Sequence, residues 1–173
     1  LAAAYQVTRQ VKIEPRMSVA VLGTGRLGLL VAQVLALRGC KLTAFGRNPK
    51  TLGLLDRKRI RTAIINEQPA SQDFDVVVDC TGSPEGFRIG LGLVRPRGTL
   101  VLKTTCTGQQ AADLTPVVVN EITVLGSRCG PIARTQRRLG RRTRAPVQAI
   151  TRRSTGHRPH RGARHDRLRL LRG

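Results

Sequence analysis

The chain has 173 residues, 40% of them hydrophobic and 2% aromatic, with a formal net charge of +21. That length supports one domain with its own core, so neither a disulfide nor a metal is needed for folding. No apolar stretch reaches the ~18 residues of a membrane span and no secretory leader opens the chain, so a soluble cytoplasmic protein is the expectation.

The region 2–11 has helical character and ends before Glu14-Pro15. Ser18-Val19-Ala20-Val21-Leu22 then reads as a buried strand and leads into Gly23-Thr24-Gly25-Arg26-Leu27-Gly28, a GxGxxG turn. In such a turn Gly23 permits the sharp strand-to-helix reversal, Gly25 has no Cβ to block a pyrophosphate, and Gly28 lets the helix approach the strand. Leu27, Leu30, Val31, Val34, Leu35 and Leu37 follow at helical spacing, and Lys41-Leu42-Thr43-Ala44-Phe45 is the next buried strand. This completes a βαβ unit of the kind that binds dinucleotides, with the phosphates at the helix N-terminus.

Downstream, Gly46-Arg47-Asn48-Pro49 forms a turn that starts a helix over 50–57, and 62–66 is a short third strand. Asp75-Val76-Val77-Val78-Asp79-Cys80 is an apolar run typical of a central parallel strand, closed by Thr81-Gly82. Ser83 can cap a helix over 84–93, Pro96-Arg97-Gly98 makes a turn, and 99–103 returns as a strand. A short apolar stretch over 116–119 and a strand over 122–125 follow. Strands alternating with helices predict an α/β fold with a doubly wound parallel, Rossmann-like sheet. Its ligand crevice lies at the strand ends 23–28, 46–47, 81–82 and 104–105.

Charge divides the chain. Residues 1–131 hold 17 Lys and Arg against 9 Asp and Glu, a net of +8, whereas residues 132–173 hold 14 Arg and one acid, Asp166, a net of +13. The tail has no Lys, no aromatic and no sustained apolar period, as in the product of a GC-rich reading frame translated out of register. The alternative is an arginine-rich arm on nucleic acid, although non-specific attraction follows from the charge alone. The expected organisation is therefore a lead-in with a linker helix over 1–17, a dinucleotide-binding domain over 18–131 and an irregular tail over 132–173.

Cys40, Cys80, Cys106 and Cys129 stand singly, without metal or redox spacing, and are expected to be reduced and mostly buried. The histidines, His157, His160 and His165, lie among tail arginines that repel a cation, so no metal ligand is assigned. Asp56 is expected on an exposed helix face, and Asp79 is expected to serve as a hydrogen-bonding group rather than a proton donor.

The segments 19–28, Asp79-Cys80-Thr81-Gly82 and Arg95-Pro96-Arg97-Gly98-Thr99-Leu100-Val101 resemble, in order and spacing, the cofactor domain of medium-chain, zinc-dependent alcohol dehydrogenases. The likeness runs to about Pro131. It implies an oxidoreductase that moves a hydride between a nicotinamide cofactor and an alcohol, with Thr81 and Gly82 bordering the nicotinamide ribose. The family's catalytic domain, with its Gly-His-Glu segment and zinc ligands, has no counterpart here, so these residues are expected not to turn over alcohol alone. The resemblance also implies homo-oligomers that pair through the edge strand near 121–126.

In NAD-specific members an acid at the end of the second strand accepts the ribose hydroxyls. That place is Gly46-Arg47 here: Gly46 removes the carboxylate and Arg47 can pair with a 2′-phosphate, which favours NADP over NAD. The expected cofactor-binding set is Gly23, Thr24, Gly25, Arg26, Leu27, Gly28, Gly46, Arg47, Thr81 and Gly82. Arg26 and Lys50 can add charge nearby.

Overall fold

The structure, a computed structural model, describes residues 1–65, 73–106 and 111–130. The expected tail over 132–173 lies outside the described residues. Within them the elements are α1 (Ala2–Gln10), β1 (Ser18–Leu22), α2 (Arg26–Ala36), β2 (Lys41–Gly46), α3 (Pro49–Asp56), β3 (Arg61–Ile64), β4 (Phe74–Asp79), α4 (Pro84–Leu93), β5 (Val94–Leu102), α5 (Thr115–Val119) and β6 (Thr123–Gly126).

The six strands form one sheet in the order β3-β2-β1-β4-β5-β6, and every pairing is parallel. The doubly wound Rossmann-like fold is therefore present. Apolar residues occupy both phases of the strands because helices cover both faces. Val19, Val21, Val76, Val78 and Val101 pack on α1 and α2, while Ala20, Leu22, Val77 and Leu100 face Ile89, Leu91 and Leu93 of α4.

Two local expectations are corrected. Pro96-Arg97-Gly98 does not precede β5 but lies inside it: the register jumps between the pairs Phe74↔Val94 and Val76↔Thr99, so 95–98 bulge out. Arg97 takes φ 61°, its N–H donates to the Asn120 carbonyl at 2.8 Å, and its side chain bridges Glu121. Distant partners thus hold a turn sequence within a strand. Ser83 stands at the N-cap of α4, but its hydroxyl makes no cap bond and pairs with the Glu85 carboxylate instead. Its own N–H is satisfied by Thr81 Oγ1 at 3.2 Å.

The four cysteines are free, but only Cys80 is buried; Cys40 and Cys106 are half-buried and Cys129 is exposed. Both Cys106 and Cys129 follow the strand ends rather than the strand interiors, so the sheet does not enclose them. No helix among the described residues is long and apolar enough to cross a membrane.

Candidate functional site

Strand order reverses between β1 and β4, whose chains continue to opposite sides of the sheet, and a crevice opens at their carboxyl ends. A cavity of about 310 Å³ lies there, lined by Gly23, Thr24 and Gly25 from the first turn, Arg47, Asn48 and Thr51 from the start of α3, and Cys80, Thr81, Ser83, Glu85 and Gly86 after β4. Arg47 is the sole cation and Glu85 the sole carboxylate among these described lining residues.

The three glycines of the turn differ in what holds them. Gly23 has φ 87°, and a Cβ there would lie 2.8 Å from the Cys80 carbonyl oxygen; its N–H extends the sheet to the Phe45 carbonyl at 2.8 Å. At Gly28 a Cβ would stand 1.8 Å from the Gly23 carbonyl oxygen, so helix and turn touch backbone to backbone. Gly25 meets nothing within 4 Å; it borders the cavity as the N-cap of α2 and offers no side-chain cap. The first N–H groups of α2, which no preceding turn can satisfy, therefore begin beside free volume.

On the α3 side, Asn48 caps the helix by accepting from the Lys50 N–H at 2.9 Å. Thr51 Oγ1 donates to the Asn48 carbonyl at 2.9 Å, so the hydroxyl of buried Thr24, 2.7 Å from Thr51 Oγ1, is the donor of that pair. Gly46 ends β2 directly behind this pair. Arg47 lines the cavity and is exposed; Arg26 and Lys50 are also exposed but do not line it.

On the β4 side, the Asp79 carboxylate accepts from the Thr81 N–H at 2.8 Å and from Thr81 Oγ1 at 2.7 Å. Burial raises its pKa above the usual aspartate value, and the two Thr81 bonds only partly oppose this. Gly82, with φ 70°, donates its N–H to Thr104 Oγ1 at 3.2 Å, tying the ends of β4 and β5 together. Cys80 is pushed up to about 12 by burial and by the Asp79 charge, so it is an inert thiol beside the turn.

The predicted residues Gly23, Thr24, Gly25, Arg47 and Thr81 thus converge on one cavity. Gly28 and Gly46 lie behind its wall, Leu27 packs into the core, and Arg26 and Gly82 lie away from the lining. Sequence reading missed Asn48, Thr51, Ser83, Glu85 and Gly86 as lining residues. Asn48-Pro49 was a legible helix-start signal that could have pointed to the first two. Asp56 is exposed and accepts from Thr62 Oγ1 at 2.6 Å, as expected for a surface acid.

A second cavity of about 480 Å³ lies between α4 and the end of β5, lined by Asp79, Phe87, Leu91, Leu102, Cys106 and Pro116 among others. Among the described residues no three His, Cys, Asp or Glu side chains converge to hold a metal, so their donor set does not fit a zinc ion.

Known proteins bear on this geometry. The family described as zinc-binding dehydrogenase matches residues 27–141. Glucose 1-dehydrogenase 2 of Vulcanisaeta moutnovskia is 33% identical over 122 residues, covering 66% of this chain and 35% of that protein. The fold is similar to S. aureus TarJ in complex with NADPH (TM-score 0.72, 19% identity, 80% of this chain and 46% of that one). A cobalt- and zinc-bound thermostable alcohol dehydrogenase from Pyrobaculum aerophilum gives a TM-score of 0.67 at 26% identity, covering 80% and 43% of the two chains. The chain therefore spans between about a third and just under half the length of these relatives.

Proposed function

From the fact that this chain belongs to the zinc-binding dehydrogenase family and carries its nicotinamide-dinucleotide portion, we propose that the cavity at the β1/β4 reversal is an NADP-preferring site. One observation carries the reading: the cavity has backbone turn and helix N-terminus on one wall, hydroxyls on the others, and Arg47 as its only described cation. Gly23, Thr24 and Gly25, with the N–H groups of Arg26, Leu27 and Gly28, would hold the pyrophosphate. Thr81 and Gly82 would border the nicotinamide ribose, and Arg47 would pair with a 2′-phosphate. TarJ, solved with NADPH, and an E. coli alcohol dehydrogenase solved with NADH share the fold, which supports a nicotinamide cofactor, while the preference for its phosphorylated form rests on Arg47 and Gly46.

When bound, the nicotinamide supplies hydride acceptance and donation. The residues of this chain bind and orient it. Asp79 holds Thr81 through two hydrogen bonds, and Thr24 is tied to Thr51, so the groups flanking the cavity are fixed before a ligand arrives. The described residues do not supply zinc ligands, and no step through zinc is assigned to them. Oxidation of an alcohol or polyol by the whole protein is the matching activity, and the 173 residues alone are expected to bind cofactor without turnover.

The test is calorimetric titration of the chain with NADPH and NADH at moderate salt, with ATP as the control for attraction to a polycation. NADPH is expected to bind tighter than both, and Arg47→Ala is expected to weaken NADPH by about tenfold while sparing NADH, as for one exposed charge-assisted contact. Equal affinity for NADPH and ATP would remove the proposal.

A further inference from the structure

Gly46 is not a glycine for conformational reasons, because its φ is not positive. It is a glycine for want of room. A Cβ built there would stand 2.2 Å from Thr24 Oγ1, 2.8 Å from Thr24 Cγ2 and 3.1 Å from Leu52 Cδ2. Thr24 itself is 6% exposed and is anchored through its hydroxyl to Thr51.

Rotation of Thr24 does not relieve the collision. A threonine places two heavy γ atoms in three staggered positions. Two of those positions are already within 3.0 Å of the would-be Cβ, so every rotamer leaves at least one of them filled. Any side chain at position 46 must displace Thr24 and break its hydrogen bond.

We propose that Thr24 is a specificity residue for the dinucleotide: it fills the volume into which a side chain at position 46 would project, and so keeps a ribose-binding carboxylate out of the end of β2. This rests on reading the cavity as the dinucleotide site. Cofactor choice is then set by a pair of positions distant in sequence, with Thr24 on the glycine turn and Gly46 on the neighbouring strand. Placing an acid at 46 without altering 24 disturbs the turn instead of creating an NAD site.

The experiment compares the full chain with Gly46→Asp, Thr24→Ala and the double variant, each titrated with NADPH and NADH. Gly46→Asp alone is expected to lose both dinucleotides by at least about tenfold. The double variant is expected to recover NADH, with its NADPH-to-NADH affinity ratio at least about tenfold below that of the parent chain. If Gly46→Asp alone binds NADH as tightly as the double variant, Thr24 is not the obstacle and the proposal is overturned. A second measurement needs no ligand: the loss of Tm caused by Gly46→Ala is expected to shrink by at least half in the Thr24→Ala background. Equal losses in both backgrounds also overturn it. Should the parent chain bind neither dinucleotide, the cofactor reading fails while this Tm comparison still judges the steric pairing.

Discussion

Two glycines three residues apart in one turn should respond to the same substitution in opposite ways. At Gly28 an added Cβ meets the Gly23 carbonyl oxygen at 1.8 Å, where ordinary contact begins at 3.4 Å, so α2 must retreat by about 1.5 Å from the turn. The obstacle is backbone, which cannot rotate away, so the cost lies at or above the upper end of the roughly 1–3 kcal/mol of overpacking. Alanine's better helix propensity returns at most about 1 kcal/mol. A net loss of about 2–3 kcal/mol is a large share of a stability of about 5–15 kcal/mol and lowers Tm by roughly 10 °C in a domain of this size.

Gly25→Ala meets nothing within 4 Å, and its φ of −70° and ψ of −175° suit any residue. Reduced freedom of the unfolded chain gains about 0.4–1 kcal/mol, and the poorer N-cap costs a similar amount, so Tm should stay nearly constant. Its methyl group, however, enters the space where a pyrophosphate would approach the backbone. NADPH affinity is therefore expected to fall by at least about tenfold in a protein that is still folded. Calorimetric unfolding gives one quantity and titration the other. A Gly28→Ala protein with parental Tm, or a Gly25→Ala protein with parental affinity, would refute the division of roles within the turn.

Acid and thiol chemistry give further checks. Burial pushes the Asp75 carboxyl up, but the Ser18 N–H at 2.7 Å and the Arg95 guanidinium at 2.7 Å outweigh it and hold the group below its ordinary 3.8. A depressed folded pKa means that this stabilisation is intact above the ordinary value and lost as pH falls through the folded one. The Tm gap between the parent and Asp75→Asn should therefore narrow as the pH is lowered from about 5 to about 2.5, and a widening gap would contradict the pairing. With its pKa pushed up to about 12, Cys80 should resist alkylation in the folded protein while exposed Cys129 reacts; mass spectrometry showing Cys80 labelled first would contradict the burial.

What the sequence disclosed depended on how local each determinant was. The strands Ser18–Leu22 and Phe74–Asp79 advertise themselves because both sheet faces are covered, which makes apolarity continuous along the chain. The glycine turn is equally legible, since its three glycines fall within six residues and Gly28 packs on Gly23 inside the turn itself, even though the Cys80 carbonyl that crowds Gly23 comes from distant β4. Residues 95–98 misled because their conformation depends on Asn120 and Glu121, which local chain chemistry cannot foresee. The same limit hid Thr51 and the steric pairing of Thr24 with Gly46, where two segments become neighbours only once β1 and β2 lie side by side.

The charged groups at the strand ends explain why this part of the fold is suited to binding rather than to proton transfer. Asp79 spends its carboxylate on Thr81, and Lys103 donates to Ser127 Oγ at 3.1 Å and to the Arg128 carbonyl at 2.7 Å. Both are buried, and burial moves each toward its neutral form, Asp79 upward and Lys103 downward. Asp79 therefore braces the loop that follows β4, and Lys103 ties the end of β5 to the segment that follows β6. What remains toward the cavity on its polar side is backbone, hydroxyl groups, Asn48, Glu85 and the exposed charge of Arg47. Such a surface suits the proposed role of orienting a phosphorylated cofactor, and on that reading the polarisation of a carbonyl falls to residues other than those that build this wall.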